Sequence, residues 1–326
     1  MYKIDLSIII VSYKSKEHLD VLLPSIWKSE RVEFPVARTP VSPSGSRGGF
    51  MGLPEKVDES IFVKGMSDKS ARYKAEIIIV DNDSKDGTVE WLSTTHYPLL
   101  TIPNANNGFS HGNNLGIKQA NGKYILLLNP DTKLEKDTLQ MMLDFMESHQ
   151  DVGISGCKII KPDGSLDLAA RRRFPNPVNS FKRLFLLNNK DYNYLDKDEN
   201  EEMEVDSLVG AFMLIRKSVI DKIGVLDETF FMYGEDLDYC WRAKEAGFKV
   251  WYYPKTFITH YKGASSEKIA FKSLKWFHQA MWIFYKKHYQ EKYPFFVNWL
   301  VGLGINLRLY TLICINFFKV NPKVSK

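Results

Sequence analysis

Residues 230–242 read Phe-Phe-Met-Tyr-Gly-Glu-Asp-Leu-Asp-Tyr-Cys-Trp-Arg. Glu235, Asp236 and Asp238 fall within four positions, hemmed in by Phe230, Phe231, Tyr233, Tyr239 and Trp241. Acids this close repel one another and are costly to bury. A helix meant only for solvent has no use for so many aromatic neighbours. The pattern suits a site that holds a metal, supplies a base or grips a sugar hydroxyl. Arg242 follows Asp238 by four residues, so on a helix the two share a face and can pair.

Three polar turns upstream offer the rest of a site. Asp81-Asn82-Asp83-Ser84-Lys85-Asp86-Gly87-Thr88 follows a strand-like run and precedes a helical one. A carboxylate at such a strand end can accept the imide N–H of a uracil or thymine ring, while Asp-Gly-Thr supplies a turn and a helix cap. A plain turn between strand and helix would read the same way. Residues 106–116 are rich in Asn and Gly, including Asn107, Gly108 and Asn113. Glycine permits close backbone approach, a helix start favours an anion, and Asn can bond a ribose or a sugar. The glycine spacing is not that of a dinucleotide-binding loop. Asn129-Pro130-Asp131 places an acid just past an apolar run. There it can hold a hard divalent cation and, through it, a diphosphate; a proline turn into a helix is the plainer alternative. Arg171-Arg172-Arg173 could meet a pyrophosphate, although most basic runs are solvated.

The scaffold for these turns shows in the hydrophobic pattern. Residues 6–11, 77–80, 99–102 and 124–128 read as buried strands. Residues 16–28, 111–120 and 136–149 read as helices, and another starts at Thr88. Strand and helix in alternation argue for a parallel α/β sheet covered on both faces. Ligands of such sheets gather at the carboxyl ends of the strands, where Ser12-Tyr13, Asp81-Asn82 and Asn129-Pro130-Asp131 all fall. Residues 31–72 break the pattern: they are rich in Pro, Gly, Ser and charge, and are expected to form a flexible insertion. Residues 191–204 read as an exposed loop, 205–215 as a strand-like run, and 269–289 as an aromatic, basic helix.

At 326 residues, 44% hydrophobic and 25% charged, the chain has ordinary globular composition and enough length for a sizeable core. Cys157, Cys240 and Cys314 are far apart and lack metal spacing, which fits a reducing compartment. The first residues run into a strand with no signal-peptide pattern, so a cytoplasmic location is expected. Charge is uneven. Residues 261–326 hold eleven Lys/Arg against Glu267 and Glu291, a net +9, which leaves −4 for the rest of a chain whose total is +5. A basic, aromatic tail reads as a face for a membrane surface, and nothing points to nucleic acid.

In combination, several segments resemble a family 2 glycosyltransferase of the rhamnosyltransferase-like branch that builds bacterial surface polysaccharides. They are Ile9-Ile10-Val11-Ser12-Tyr13, Val80-Asp81-Asn82, the Asn-rich residues 108–116, Asn129-Pro130-Asp131, Val209-Gly210-Ala211-Phe212, residues 224–238 with Arg242, and Thr259-His260. They occur in family order over residues 6–289. The resemblance implies a GT-A fold, a Rossmann-like, mostly parallel central sheet flanked by helices, over residues 1–265. Residues 266–326 would form a C-terminal helical segment at the membrane interface.

By the same resemblance, Ser12 and Tyr13 would flank the nucleotide and Asp81 would read a pyrimidine base. Asn82, Asn107, Gly108, Asn113 and Asn129 would complete that subsite. Asp131 matches the second Asp of the family's Asp-X-Asp motif and would bind Mg²⁺ or Mn²⁺, with His260 as a further ligand. Asn129 stands where the first Asp is usual, which removes one charge from the metal site. Asp236 would be the general base, with Glu235 beside it. Asp238 and Arg242 would orient the acceptor or pair with each other. One base and direct displacement imply inversion at the anomeric carbon. The implied donor is dTDP-rhamnose or a UDP-sugar, and the acceptor a hydroxyl of a glycan or lipid-linked sugar.

Two other readings compete. A sugar-phosphate nucleotidyltransferase shares the core type, but its Gly-rich, Arg-containing N-terminal loop is replaced by Ser12-Tyr13-Lys14-Ser15. An inactive membrane scaffold would have no need of Asp81, Asp131, Asp236 and His260. Residues 295–318 are strongly apolar but broken by Asn298, Asn306 and Arg308. As a helix they would reach about 36 Å, enough to cross a bilayer core. Arg308 near the centre would cost roughly 2.5–3.5 kcal/mol, so a helix lying in the interface of the inner membrane face is expected.

Overall fold

A computed structural model describes residues 4–35, 72–185, 190–261 and 270–317. Most of the expected 31–72 insertion, and the proposed domain boundary at 265/266, lie outside the described residues. Strands run in chain order as β1 (Leu6–Ser12), β2 (Val32–Glu33), β3 (Tyr73–Asn82), β4 (Leu99–Asn104), β5 (Tyr124–Leu128), β6 (Thr132–Leu134) and β7 (Val152–Ile160). They continue as β8 (Arg171–Arg172), β9 (Met203–Glu204), β10 (Ser207–Leu208), β11 (Phe212–Arg216) and β12 (Lys249–His260). The helices are α1 (Lys16–Trp27), α2 (Thr88–Thr94), α3 (Phe109–Gln119), α4 (Thr138–Ser148) and α5 (Pro177–Phe185). They end with α6 (Lys217–Ile223), α7 (Glu235–Glu245), α8 (Ala270–His288) and α9 (Phe295–Phe317).

The main sheet has the order β2-β3-β1-β5-β11-β7-β12-β6, with β4 alongside β3 and β9 alongside β12. β4, β3, β1 and β5 are parallel, and so are β7 and β12; β11 and β6 run against their neighbours. A mostly parallel α/β sheet is therefore present, as the alternation of strand and helix predicts. Ile8, Ile9 and Ile10 are all fully buried, which explains a continuous apolar run in place of an alternating one.

Two expectations are corrected. Residues 205–215 are not one strand. Ser207–Leu208 pairs with β8 in a separate two-stranded ribbon, and Phe212–Arg216 enters the main sheet between β5 and β7. The break at Val209-Gly210-Ala211 frees the Gly210 N–H for a side chain described below. The 191–204 segment is not wholly exposed, because Tyr192, Asn193 and Tyr194 are buried. Arg173 lies over the Tyr194 ring at 4.0 Å, so part of this loop is held to the domain.

The last two helices form a pair. Tyr285 donates to Asn298, Arg308 meets His278, and Gly302 lies against Trp282. A second small core of Phe230, Ala280 and Phe284 joins α8 to the segment before α7.

Candidate active site

Strand register brings the polar turns to one edge. Ser12 is level with Asp81, and Asn82 with Asn104. β11 runs antiparallel to β5, so it begins where β5 ends, with Phe212 opposite Leu128. β12 ends there too, with His260 opposite Thr132. Residues spread from 12 to 260 thus share the carboxyl edge of the parallel strands.

On the β1–β3 side the turns are tied tightly. Asp81 is buried and accepts from both the backbone N–H and the hydroxyl of Ser84. The Ser84 hydroxyl oxygen also accepts from the Lys14 N–H, joining this turn to the one after β1. Asp83 and Lys85 both take positive φ, a strained backbone of the kind that gathers at ligand sites. Asn82 donates to the Gly108 carbonyl and accepts from Asn104. Ser12 is fully buried and its hydroxyl has no partner. Tyr13 is half-buried and Asn107 is exposed.

The Asn-rich segment has a strong structural component. Gly108 has φ of 109°, and a Cβ there would stand 2.7 Å from the Phe231 carbonyl oxygen. Phe109 donates its N–H to that same carbonyl, and the Ser110 hydroxyl donates to the Phe230 carbonyl. Asn113 donates to Phe109 within its own helix. Asn114 both donates to and accepts from Leu226 and reaches Glu228. The segment therefore docks the start of α3 onto the loop that carries the acidic turn.

That turn is strained. Tyr233 and Gly234 have φ of 71° and 81°, immediately before α7. Phe231 packs on Trp276 and Tyr233 on Phe277, so α8 buttresses the turn from behind. Glu235 and Asp236 occupy the first turn of α7, where the helix dipole favours negative charge. Their environments differ. Asp236 Oδ2 accepts from Arg172 Nη2 at 2.8 Å and from the Gly210 N–H at 3.1 Å. Burial, and then the Asp236 charge, push the Glu235 carboxyl well above the usual carboxylate range, and its Oε2 has no partner. Burial works against the Arg172 cation, but the Asp236 carboxylate beside it holds it charged. The two acids thus differ in surroundings: Asp236 is paired with a cation and a backbone N–H, while Glu235 is buried with one oxygen unpartnered.

A second cluster surrounds His260. Its Nε2 lies 3.2 Å from Asp131 Oδ1 and its Nδ1 lies 3.4 Å from Asp167 Oδ2. Burial lowers the imidazole's affinity for a proton, but hydrogen bonds to Asp131 and Asp167 raise it further. Burial raises the Asp131 carboxyl while the His260 contact draws it down, with a net lowering. The Asn129 Oδ1 is buried with no partner. Among the described residues no three His, Cys, Asp or Glu side chains stand ready to enclose a cation. Asp167 was invisible in the sequence: it lies in no motif and also caps a short helical turn at Ala169.

Of the two roles expected of Asp238 and Arg242, acceptor contact or mutual pairing, the pairing is present. The Asp238 side chain is fully buried, with Oδ2 accepting from Arg242 Nε at 2.8 Å and Oδ1 from His288 at 2.8 Å. Lys287 stands 2.9 Å from Oδ1. The rest of the Arg242 guanidinium donates to the Ile223 and Val225 carbonyls. The pair fastens α7 to α8 and to the loop after α6. Arg171 is likewise a buried scaffold residue, donating to the Lys197 and Asp198 carbonyls and lying over Tyr252. The basic run is therefore not a solvated one.

Residues 63–224 match the family profile described as glycosyl transferase family 2. The match includes Asp81 and Asp131 and ends before Asp236 and His260. The chain is 30% identical over 182 residues to the low-salt glycan biosynthesis hexosyltransferase Agl10 of Haloferax volcanii, covering 54% of this chain and 55% of that one. The chain therefore spans about half the length of that relative. It is 25% identical over 256 residues to the N-acetylglucosaminyl-diphospho-decaprenol L-rhamnosyltransferase of Mycobacterium tuberculosis, covering 73% of this chain and 83% of that one. The fold is shared with the mannosyltransferase PcManGT of Pyrobaculum calidifontis, solved with GDP-Man and Mn²⁺. There the TM-score is 0.54 at 12% identity, covering 99% of this chain and 78% of that one.

Proposed function

We propose that this chain, which belongs to glycosyl transferase family 2, moves a sugar from a pyrimidine nucleotide-sugar to a hydroxyl of a glycan or lipid-linked acceptor, with inversion. The observation that carries the proposal is Asp236. It is a buried carboxyl on a strained turn, paired with Arg172 and tied through Gly210 to the sheet edge that also holds Asp81, Asn129 and Asp131. The acceptor oxygen forms its bond to the anomeric carbon while its proton passes to Asp236. The bond from that carbon to the diphosphate oxygen breaks, and its electron pair leaves with the nucleoside diphosphate. A single base acting on one face gives inversion. Asp81, Ser12, Tyr13, Asn82, Asn107, Gly108, Asn113 and Asn129 are the proposed nucleotide subsite, and Glu235, neutral beside the base, its partner in catalysis.

The residues present fit a divalent cation, Mg²⁺ or Mn²⁺, at Asp131 and His260. Asp167 takes the His260 Nδ1–H and turns Nε2 toward Asp131, as an outer carboxylate does for a metal-binding imidazole. The partnerless Asn129 Oδ1 would be able to offer a further oxygen in place of the usual carboxylate. With few protein ligands, the rest of the coordination falls to substrate phosphate and water. Such a cation would neutralise charge on the leaving diphosphate, and the imidazole ligand favours Mn²⁺ somewhat.

dTDP-rhamnose or a UDP-sugar is the donor favoured by the family resemblance, and the mycobacterial relative's name supports rhamnose and a diphospholipid acceptor. α9 carries an outward stripe of Phe296, Trp299, Leu303, Leu307 and Tyr310, each about half exposed or more. This stripe supports contact with the inner face of the membrane, where such an acceptor lies. Asp236→Asn should lower transfer about 10²–10⁴-fold while the affinity for the nucleoside diphosphate stays within twofold. Near-native turnover in that variant would remove Asp236 as the base.

A further inference from the structure

Arg172 stands out once the acidic turn is described. Its neighbours in the basic run serve the scaffold, whereas Arg172 lies on the ribbon of β8 and β10 and faces the start of α7. One terminal nitrogen, Nη2, donates both to the Leu208 carbonyl and to Asp236 Oδ2. Arg172 is about nine-tenths buried, and its Nε–H has no partner. An orphaned donor this deep beside a candidate base points to a group that arrives with substrate. The other hydrogen bond to Asp236 Oδ2 comes from Gly210, in the same break that separates β10 from β11. Oδ2 is thus held from two sides, and Oδ1, bonded only to the Leu237 N–H at the helix start, is the oxygen left to receive a proton.

We propose that Arg172 is a positioning residue of the transfer reaction: with the Gly210 N–H it pins Oδ2 of Asp236 inside a buried, aromatic turn and so aims Oδ1 at the acceptor hydroxyl. The inference rests on the reading of Asp236 as the base. The groups that bear on Asp236 are Glu235 on its own helix, Arg172 on β8, Cys240 one turn on, and Tyr192, which faces Arg172. Only Arg172 among them is a cation. Its loss removes from the Asp236 carboxyl both a counter-charge and a hydrogen bond. The guanidinium also fixes direction, because the planar group is anchored through the same Nη2 to the Leu208 carbonyl, which a flexible lysine ammonium would hold less rigidly. After the proton arrives on Oδ1, the same two donors keep Oδ2 in place until the acid is reset by solvent.

The test uses the full chain with Arg172→Gln and Arg172→Lys, measuring kcat and KM across pH, with Asp236→Asn alongside. Arg172→Gln should lower kcat about 100-fold with donor KM nearly unchanged. The acidic limb of its kcat profile should move up by about one unit or more. Arg172→Lys keeps a cation without the planar guanidinium, so the limb should move less while kcat still falls. Guanidinium ion added to Arg172→Ala should restore part of the turnover. An Arg172→Gln variant with native kcat and an unmoved limb would overturn the proposal, as would a change in KM alone. If Arg172→Gln melts below the assay temperature, Arg172→Lys decides: native kcat in that variant overturns it. Should Asp236→Asn itself keep transfer, the reading of Asp236 as base fails first. A dead Asp236→Asn with an indifferent Arg172 would leave the base standing and remove only its positioning partner.

Discussion

Asp238 makes the i,i+4 pairing with Arg242 that local spacing records, and adds contacts to His288 and Lys287 that such spacing does not record. From sequence it is a third acid beside two candidate catalytic ones, and an acceptor role is reasonable. In the fold its carboxylate is held by Arg242, His288 and Lys287. Burial pushes its carboxyl up, but hydrogen bonds from His288 and Lys287 and the Arg242 charge outweigh this and hold it at about 2. The folded value lies below the unfolded one, so the stabilisation is fully present above about pH 4 and is lost as pH falls toward 2. Asp238→Asn removes the buried counter-charge of the half-buried Arg242 and should cost about 1.5–3 kcal/mol in urea unfolding at pH 7. It should also flatten the acid side of the stability curve between pH 4 and 2. A loss below about 1 kcal/mol would show that the cluster is not a fastening.

At the scale of elements, strands rich in Ile, Val and Leu declared themselves, and β5 matches residues 124–128 as read. β12 did not. It contains Pro254, which lacks the N–H that a ladder needs and argues against an interior strand. The chain accommodates it with a register shift between Tyr253 and Phe257, so β12 still pairs with β7 on both sides of the irregularity. α9 was legible as a helix, but the burden assigned to Arg308 was not. Arg308 turns toward α8 and meets His278 at 2.9 Å, and Asn298 is bonded to Tyr285, so the outward stripe stays largely apolar. Replacing Trp299, Leu303 and Leu307 together by Ser should weaken sedimentation with anionic phospholipid vesicles about tenfold or more. Unchanged sedimentation would place the membrane contact elsewhere, or abolish it.

Across the whole molecule, the sheet order converts a scattered set of residues into one edge. The turns after β1, β3 and β5 could be read as members of that edge because each directly follows an obvious strand. His260 was reachable only through family order, since its strand was not seen. The contacts of Arg172 with Asp236 and of Asp167 with His260 are not legible in the sequence for a physical reason: they join residues 64 and 93 positions apart, and no local spacing records such a contact. A basic run next to Pro and Phe reads as solvated surface until the ribbon of β8 and β10 turns it inward. The family match, which spans residues 63–224, likewise omits Asp236 and His260.

The most direct test of a nucleotide-sugar transferase is calorimetric binding of UDP, dTDP, GDP and CDP to the full chain, with Mn²⁺ and then with EDTA. UDP or dTDP should bind in the presence of Mn²⁺, at least tenfold more weakly after EDTA, and in preference to GDP and CDP. A folded chain that binds none of the four would contradict the proposed function. Preferential binding of GDP would contradict the assignment of Asp81 as reader of a pyrimidine ring.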